Sequence, residues 1–315
     1  MSTLDPPHRV DQPVVTVDGL WMRYGDNDVL RGVDLDVRRG EVVVLLGPNG
    51  AGKTTTIEIL EGFRRPSAGS VHVLGADPLH AGEAWRARVG VVLQSWRDHA
   101  RWTPRDLLDH LGAYYAYFST DERPRPVPTD ELLSLVGLSD ASDQRLLTLS
   151  GGQRRRLDVA VGIVGRPELL FLDEPTAGFD PQARREFHEL VHRLTDLEGT
   201  TVLLTTHDLS EAEKLADRIL ILAGGRIVAD GSADELARQI RANAEVRWTQ
   251  DGQRYVHATT DATGFVRRLL DEHSSGIEEL EIRRASLEDT YIELVRAYES
   301  ADLAAVPTSL TTEGS

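Results

Sequence analysis

Short strings in this chain carry residue types suited to phosphate chemistry. The first is Gly47, Pro48, Asn49, Gly50, Ala51, Gly52, Lys53, Thr54 and Thr55. It follows the apolar run 42–46 and opens a helical stretch. Glycines at this spacing let backbone N–H groups curl around phosphate oxygens. The start of a helix adds a favourable partial charge. Lys53 then reaches the β- and γ-phosphates, and the Thr54 hydroxyl ligates magnesium. A chance glycine-rich turn is the bland alternative, and the strand–loop–helix setting argues against it. Lysine usage points the same way. Lys53 and Lys214 are the only lysines in a chain otherwise basic through arginine.

The second string is Leu169-Leu170-Phe171-Leu172-Asp173-Glu174. Four apolar residues deliver two adjacent carboxylates at the edge where ligands sit in open α/β sheets. Asp173 suits magnesium, and Glu174 suits polarising an attacking water. The third is Leu149-Ser150-Gly151-Gly152-Gln153, just before a helix. A serine and two glycines there make either an anion-binding end or an ordinary cap.

The elements that hold these strings alternate. Runs 14–17, 42–46, 169–172, 201–204 and 219–222 read as strands, and most lack polar alternation. Such runs suit strands buried on both faces of a parallel sheet. Stretches 53–61, 151–164, 181–197 and 209–215 read as helices, so the class is α/β. Stretch 105–136 reads as all-helical, broken by Pro124, Pro126 and Pro128, and is expected to be a subdomain inserted in the core. The aromatics Tyr114, Tyr115, Tyr117 and Phe118 are expected in its interior. Arg154–Arg156 is expected to be a solvated or ion-paired helix face. From residue 244 a smaller α+β unit is expected. Its strands fall at 244–248, 255–258 and 277–282, with a helix at 262–273. Ser286 and Asp289 signal a capped helix whose apolar face carries Leu287, Tyr291, Leu294, Val295 and Tyr298. Residues 1–13 read as a loose arm and 299–315 as a disordered tail.

Bulk properties exclude several classes. With 315 residues, one large domain or one domain plus a smaller one fits. The absence of cysteine removes disulfides, thiolate metal sites and thiol catalysis. No apolar run approaches the ~20 residues that span a bilayer, and the first residues lack a signal-peptide layout. A soluble, cytoplasmic protein is expected. A formal charge of −16 argues against nonspecific nucleic-acid binding.

Taken together, these strings make the chain resemble the nucleotide-binding subunit of an ABC transporter over about residues 14–240. Gly47–Thr54 matches the Walker A loop of that family, residues 169–173 its Walker B strand, and Leu149–Gln153 its signature. Smaller hallmarks follow in order. Tyr24 matches the aromatic that stacks on adenine, and Gln94 the Q-loop glutamine that senses magnesium. Asp180 lies in the D-loop 177–180, and His207 matches the switch histidine. The D-loop carries Phe179 where leucine is usual, which is expected to alter packing at the dimer seam. Alone, Tyr24 reads as a turn aromatic, Gln94 as a strand end, and His207-Asp208 as a helix cap.

The resemblance implies a P-loop NTPase (ABC ATPase) domain over 14–243, a helical subdomain at about 95–165 and an appendage at 244–298. It implies ATP and Mg²⁺ as ligands, with Thr54, Gln94 and Asp173 at the metal. Glu174, His207, Lys53 and Gln94 are the implied catalytic set. Two ATPase subunits, identical copies being expected, would pair head to tail with Ser150, Gly151, Gly152 and Gln153 acting in trans. Residues 286–291 resemble a C-terminal string of ABC ATPases that drive drug, lipid or polysaccharide exporters. A multi-span membrane permease is then the partner, holding the chain at the inner face of the membrane. Other readings are an importer subunit, a nonhydrolysing binding module, or a soluble ABC ATPase in translation or DNA repair. The gap between Thr54 and Leu149 is too short for the coiled coil that DNA-repair members need. Ribosome-acting members carry two cassettes and a basic character, unlike this acidic chain.

Overall fold

The computed structural model describes residues 13–92, 100–240, 244–250, 252–259, 261–273 and 276–284, with residues 288, 291, 292, 295 and 298. Residues 1–12, Gln94, Ser286, Leu287, Asp289, Leu294 and the tail 299–315 lie outside the described residues.

The chain opens with β1 (Pro13–Tyr24), β2 (Asn27–Arg38), β3 (Val42–Leu46), α1 (Lys53–Leu60), β4 (Ala68–Val73), α2 (Glu83–Arg86) and β5 (Val89–Val92). A helical stretch follows, with α3 (Pro104–Ala116), α4 (Thr129–Leu135) and α5 (Gly151–Ile163). Next come β6 (Leu169–Asp173), α6 (Pro181–Glu198), β7 (Thr201–Thr206), α7 (Leu209–Leu215), β8 (Arg218–Ala223), β9 (Arg226–Gly231) and α8 (Ala233–Ile240). The chain ends its described elements with β10 (Ala244–Gln250), β11 (Gln253–Thr259), α9 (Ala262–Glu272) and β12 (Ile277–Arg284). One compact unit ends at Ile227 and a second begins at Val228. That division falls earlier in the chain than residue 244, because α8 groups with the residues after it.

The main sheet has the order β5-β6-β7-β3-β8-β9. Strands β5, β6, β7, β3 and β8 pair in parallel. Every residue of β3 and β7 is buried, as befits strands covered on both faces; β3 is wholly apolar, and β7 buries three threonines beside its apolar residues. Parallel pairing places the C-terminal ends of β6, β7 and β3 side by side at one edge. The loops leaving that edge carry the candidate site.

A second, antiparallel sheet of order β2-β1-β4 was not legible beyond residues 14–17. Its hydrophobic alternation is interrupted by Gly19, by register shifts and by paired charges. Its buried residues Val15, Val17, Leu20, Leu30 and Val33 share one core with Val43, Leu45, Phe171 and Leu203 of the parallel sheet.

Caps fix the helices around this frame. Thr103 and Asp106 form a capping box ahead of α3, with Pro104 at its first position. Asp180 accepts from the Gln182 and Ala183 N–H groups ahead of Pro181, and Gly199 closes α6 in the left-handed conformation. The aromatic stretch of α3 is not the interior expected. Tyr117 is 88% exposed and Tyr114 46%. Helix α3 ends at Ala116, so Tyr117 and Phe118 fall on its exit, while Tyr115 alone covers Gly165, where a Cβ would come within 2.4 Å of the ring.

In the second unit, β11-β10-β12 form an antiparallel sheet and α9 packs on β10. Trp248 stacks on Tyr255, and His257 stacks on Phe265.

Candidate functional site

The loop from Gly47 to Gly52 joins β3 to α1, and two of its glycines are forced by space. A Cβ on Gly47 would meet the Leu222 carbonyl oxygen at 2.3 Å. Gly52 has φ +105°, and a Cβ there would meet Leu30 Cδ2 at 2.6 Å. Asn49 and Gly50 stand exposed at the loop's crest, while Ala51 is buried beneath them. Thr55 is half-buried on the first turn of α1.

Lys53 is 5% exposed. Its Nζ donates to the carbonyl oxygens of Gly47 at 2.9 Å and Pro48 at 3.1 Å. It also stands 3.5 Å from Glu174 Oε1. Curling the loop over the ammonium aims its charge at the C-terminal edge of the sheet.

The Thr54 hydroxyl donates to Asp173 Oδ2 at 3.0 Å. The other carboxylate oxygen, Oδ1, accepts from the Thr205 hydroxyl at 2.5 Å. Thr205 in turn accepts the Glu174 N–H at 3.0 Å. One buried threonine of β7 thus fixes both acidic residues at the end of β6. Glu174 has φ +44°, a left-handed backbone that glutamate adopts only when its surroundings hold it there. His207, in the turn after β7, brings Nδ1 to 3.3 Å from Glu174 Oε1. Asp208 caps α7, accepting from the N–H groups of Ser210 and Glu211. The cap reading of His207-Asp208 thus belongs to Asp208, and His207 is left beside Glu174.

The three strings do not all meet. Lys53, Thr54, Asp173, Glu174 and His207 converge across three strand ends. Ser150 and Gln153 instead form a reciprocal capping box at the start of α5. The Ser150 N–H donates to Gln153 Oε1 at 2.9 Å, and the Gln153 N–H to Ser150 Oγ at 3.2 Å. Gly151 and Gly152 follow, with no atom within 4 Å of a Cβ at either position. Asp180 is engaged in capping α6, and backbone N–H groups of Ala183 and Gln182 hold its carboxyl below the usual range. Tyr24 ends β1, 40% exposed, with the Arg64 guanidinium 5.2 Å from its ring centre. Phe179 packs edge-on to Phe187 of its own chain, bordering a cavity of about 160 Å³.

Further residues belong to this neighbourhood. Arg155 is buried and reaches the carbonyls at 173–175, so Arg154–Arg156 is not uniformly a surface face. Arg154 does pair with Asp158, and Arg156 with Glu186. Glu61 follows α1, and burial, with Asp173 and Glu58 nearby, pushes its carboxyl up to about 8. Glu211 is buried and accepts from the Thr176 and Thr206 hydroxyls, both at 2.5 Å. Burial alone would raise its carboxyl, but His188 and the two threonines hold it below the usual range. A threonine ending an apolar strand, or a glutamate within a helix turn, gives no sequence signal of these roles.

The arrangement offers a curled cationic loop for a polyphosphate, a hydroxyl–carboxylate pair, and a second carboxylate flanked by a lysine and a histidine. Residues 30–177 match the family profile described as ABC transporter. The chain is 38% identical to the daunorubicin resistance ATP-binding protein DrrA3 of Streptomyces coeruleorubidus. That alignment spans 89% of this chain and 95% of that protein. It is 42% identical to the Nod factor export ATP-binding protein I of Ralstonia nicotianae, over 71% of this chain and 68% of that protein. A solved ATP-binding subunit of an ABC transporter superposes with TM-score 0.62 at 29% identity, covering 72% of this chain and 92% of that one.

Proposed function

This chain belongs to the ABC transporter family as an ATP-binding, ATP-hydrolysing subunit, and from that premise we propose how its site works and what it drives. Two copies pair head to tail. ATP lies between Gly47–Thr55 of one protomer and Ser150, Gly151 and Gly152 of the other. Tyr24 stacks on the adenine. The backbone of the loop and Lys53 hold the β- and γ-phosphates. Glu174 takes the proton of a water as that water's oxygen attacks the γ-phosphorus and the bond to the β–γ bridging oxygen breaks. His207 keeps the Glu174 carboxylate in register with the γ-phosphate.

Thr54 and Asp173 fit Mg²⁺. Their oxygens already converge at 3.0 Å. Among the described residues no three acidic or imidazole groups form a closed metal cage. So sparse a set of hard oxygens suits a cation that keeps waters and borrows phosphate oxygens. Bound there, Mg²⁺ neutralises charge on the phosphates. Gln94 completes this set in the reading from sequence.

The work is export through a separate membrane permease, at the inner face of the membrane. Similarity to drug-resistance and Nod factor export subunits supports this. Among the described residues no helix is long and apolar enough to cross a membrane, and in this reading the permease supplies the path. Residues 244–298 carry none of the ATP-site motifs and are read as a separate appendage.

The observation that carries the mechanism is the position of Glu174 Oε1 between Lys53 Nζ and His207 Nδ1. The test of function is co-expression with the neighbouring permease gene. The chain should sediment with membranes only when that permease is present, and Lys53→Ala should abolish export without releasing it. Sedimentation regardless of the permease would refute the partnership.

A further inference from the structure

We propose that Arg155 is a positioning residue for Glu174, reaching it from the helix that opens with the signature. The inference rests on Glu174 being the base. Arg155 lies on α5, one turn after Ser150 and Gly151. Its Nε donates to the Pro175 carbonyl oxygen at 2.8 Å, and an Nη donates to that of Asp173 at 3.3 Å. The same nitrogen is 3.5 Å from the Glu174 carbonyl oxygen, at the outer limit of a hydrogen bond. The other Nη faces Asp158 at 3.8 Å.

The first of these carbonyls along the chain ends β6, and the two after it belong to a segment that has no regular ladder to join. Strand β6 stops at Asp173, and Glu174 turns left-handed immediately after it. A planar guanidinium fork meets consecutive carbonyls in a way a single ammonium does not. Arg155 is 9% exposed, so its charge is kept dry and its geometry is tight. Thr205 holds the Glu174 backbone through its N–H, and Arg155 holds the peptide on its other side. Between them they set where the Glu174 carboxylate points. Since that carboxylate must meet a water and a phosphorus, a small rotation of the peptide moves the base out of reach.

The test uses the full chain with Arg155→Lys and Arg155→Gln, each in the parental and the Glu174→Gln background. Lysine keeps the charge beside Asp158; glutamine keeps an amide donor without the charge, so one survives if the other does not fold. Single-turnover hydrolysis, ATP affinity by a fluorescent analogue and Tm are measured. In the parental background kcat should fall about tenfold while ATP affinity stays within about twofold. In the Glu174→Gln background the residual rate should not fall further, because a positioning residue has nothing left to position. An equal fall in both backgrounds, a fall that tracks ATP affinity, or an unchanged kcat in a folded variant would overturn the role of Arg155. Parental hydrolysis by Glu174→Gln alone would instead overturn the reading of Glu174, so the two failures are distinguishable.

Discussion

His207 Nδ1 stands 3.3 Å from Glu174 Oε1, although the two residues leave different strands. Lys53 Nζ approaches the same oxygen at 3.5 Å from a third strand end. Parallel pairing of β6, β7 and β3 brings these ends together. Two groups able to carry positive charge flank one carboxylate oxygen. The two acids differ in their partners: Asp173 accepts from two hydroxyls, and Glu174 stands beside a lysine and a histidine.

Glu174→Gln should therefore separate binding from chemistry. Glutamine keeps the shape but accepts no proton. Loss of a positioned base costs about 10²–10⁴ in rate, or roughly 3–5 kcal/mol of barrier. ATP affinity should persist, and a paired species should accumulate with ATP on size-exclusion chromatography. Hydrolysis at the parental rate would show that another group is the base.

Thr205→Val should loosen both acids at once. Valine matches the shape and suits a buried strand, but removes the donor to Asp173 and the acceptor of the Glu174 N–H. A part-buried N–H left unpaired costs about 1–3 kcal/mol. Both stability to urea and kcat should fall, and the magnesium dependence of ATP binding should shift to higher concentration. An unchanged magnesium dependence would mean Thr205 does not orient Asp173.

Residues whose spacing is local were the legible ones. Glycines before Lys53 and Thr54, and apolar residues before Asp173 and Glu174, state a strand, a loop and their chemistry together. Residues that matter through packing carried no such mark. Arg155 is indistinguishable from Arg154 and Arg156 until the helix phase over the end of β6 is known. Thr205 reads as one more β-branched strand residue. Glu61 reads as a surface acid until burial raises its carboxyl to about 8. The sheet β2-β1-β4 stayed hidden because glycines and charges break its alternation.

Acid should unfold the protein partly through Glu168. Burial alone would raise this carboxyl, but Arg88 and Arg39 hold it down to about 2. Arg88 donates at 2.7 and 3.1 Å, and Arg39 at 3.2 Å. The folded value lies below the unfolded one of about 4.5, so the contribution is full above the unfolded value. It is lost as pH falls toward 2. Allowing for solvent screening, it is on the order of 1–2 kcal/mol. Glu168→Gln should lower stability at pH 7 and flatten the fall between pH 5 and pH 3, read by urea unfolding. A parental slope in the variant would assign acid sensitivity elsewhere.

Glu211 ties the two loops that present Glu174 and His207. Thr176 lies two residues after Glu174, and Thr206 immediately precedes His207. Both donate to this one carboxylate, which is 2% exposed and faces His188 at 3.8 Å. Glu211→Ala leaves two buried hydroxyls without their acceptor and opens a void. Such losses cost about 2–4 kcal/mol, so Tm should fall by several degrees. Glu211→Gln refills the space, and both hydroxyls can rotate to suit an amide, so most of the stability should return. The catalytic consequence differs from the stability one. If Glu211 sets the distance between Glu174 and His207, Glu211→Gln should still lower kcat, because both hydroxyl bonds lose their charge assistance and the loops gain freedom. ATP affinity should stay near parental, since Lys53 and its loop do not touch Glu211. A Glu211→Gln variant with both parental Tm and parental kcat would show that the two loops keep their spacing without this carboxylate.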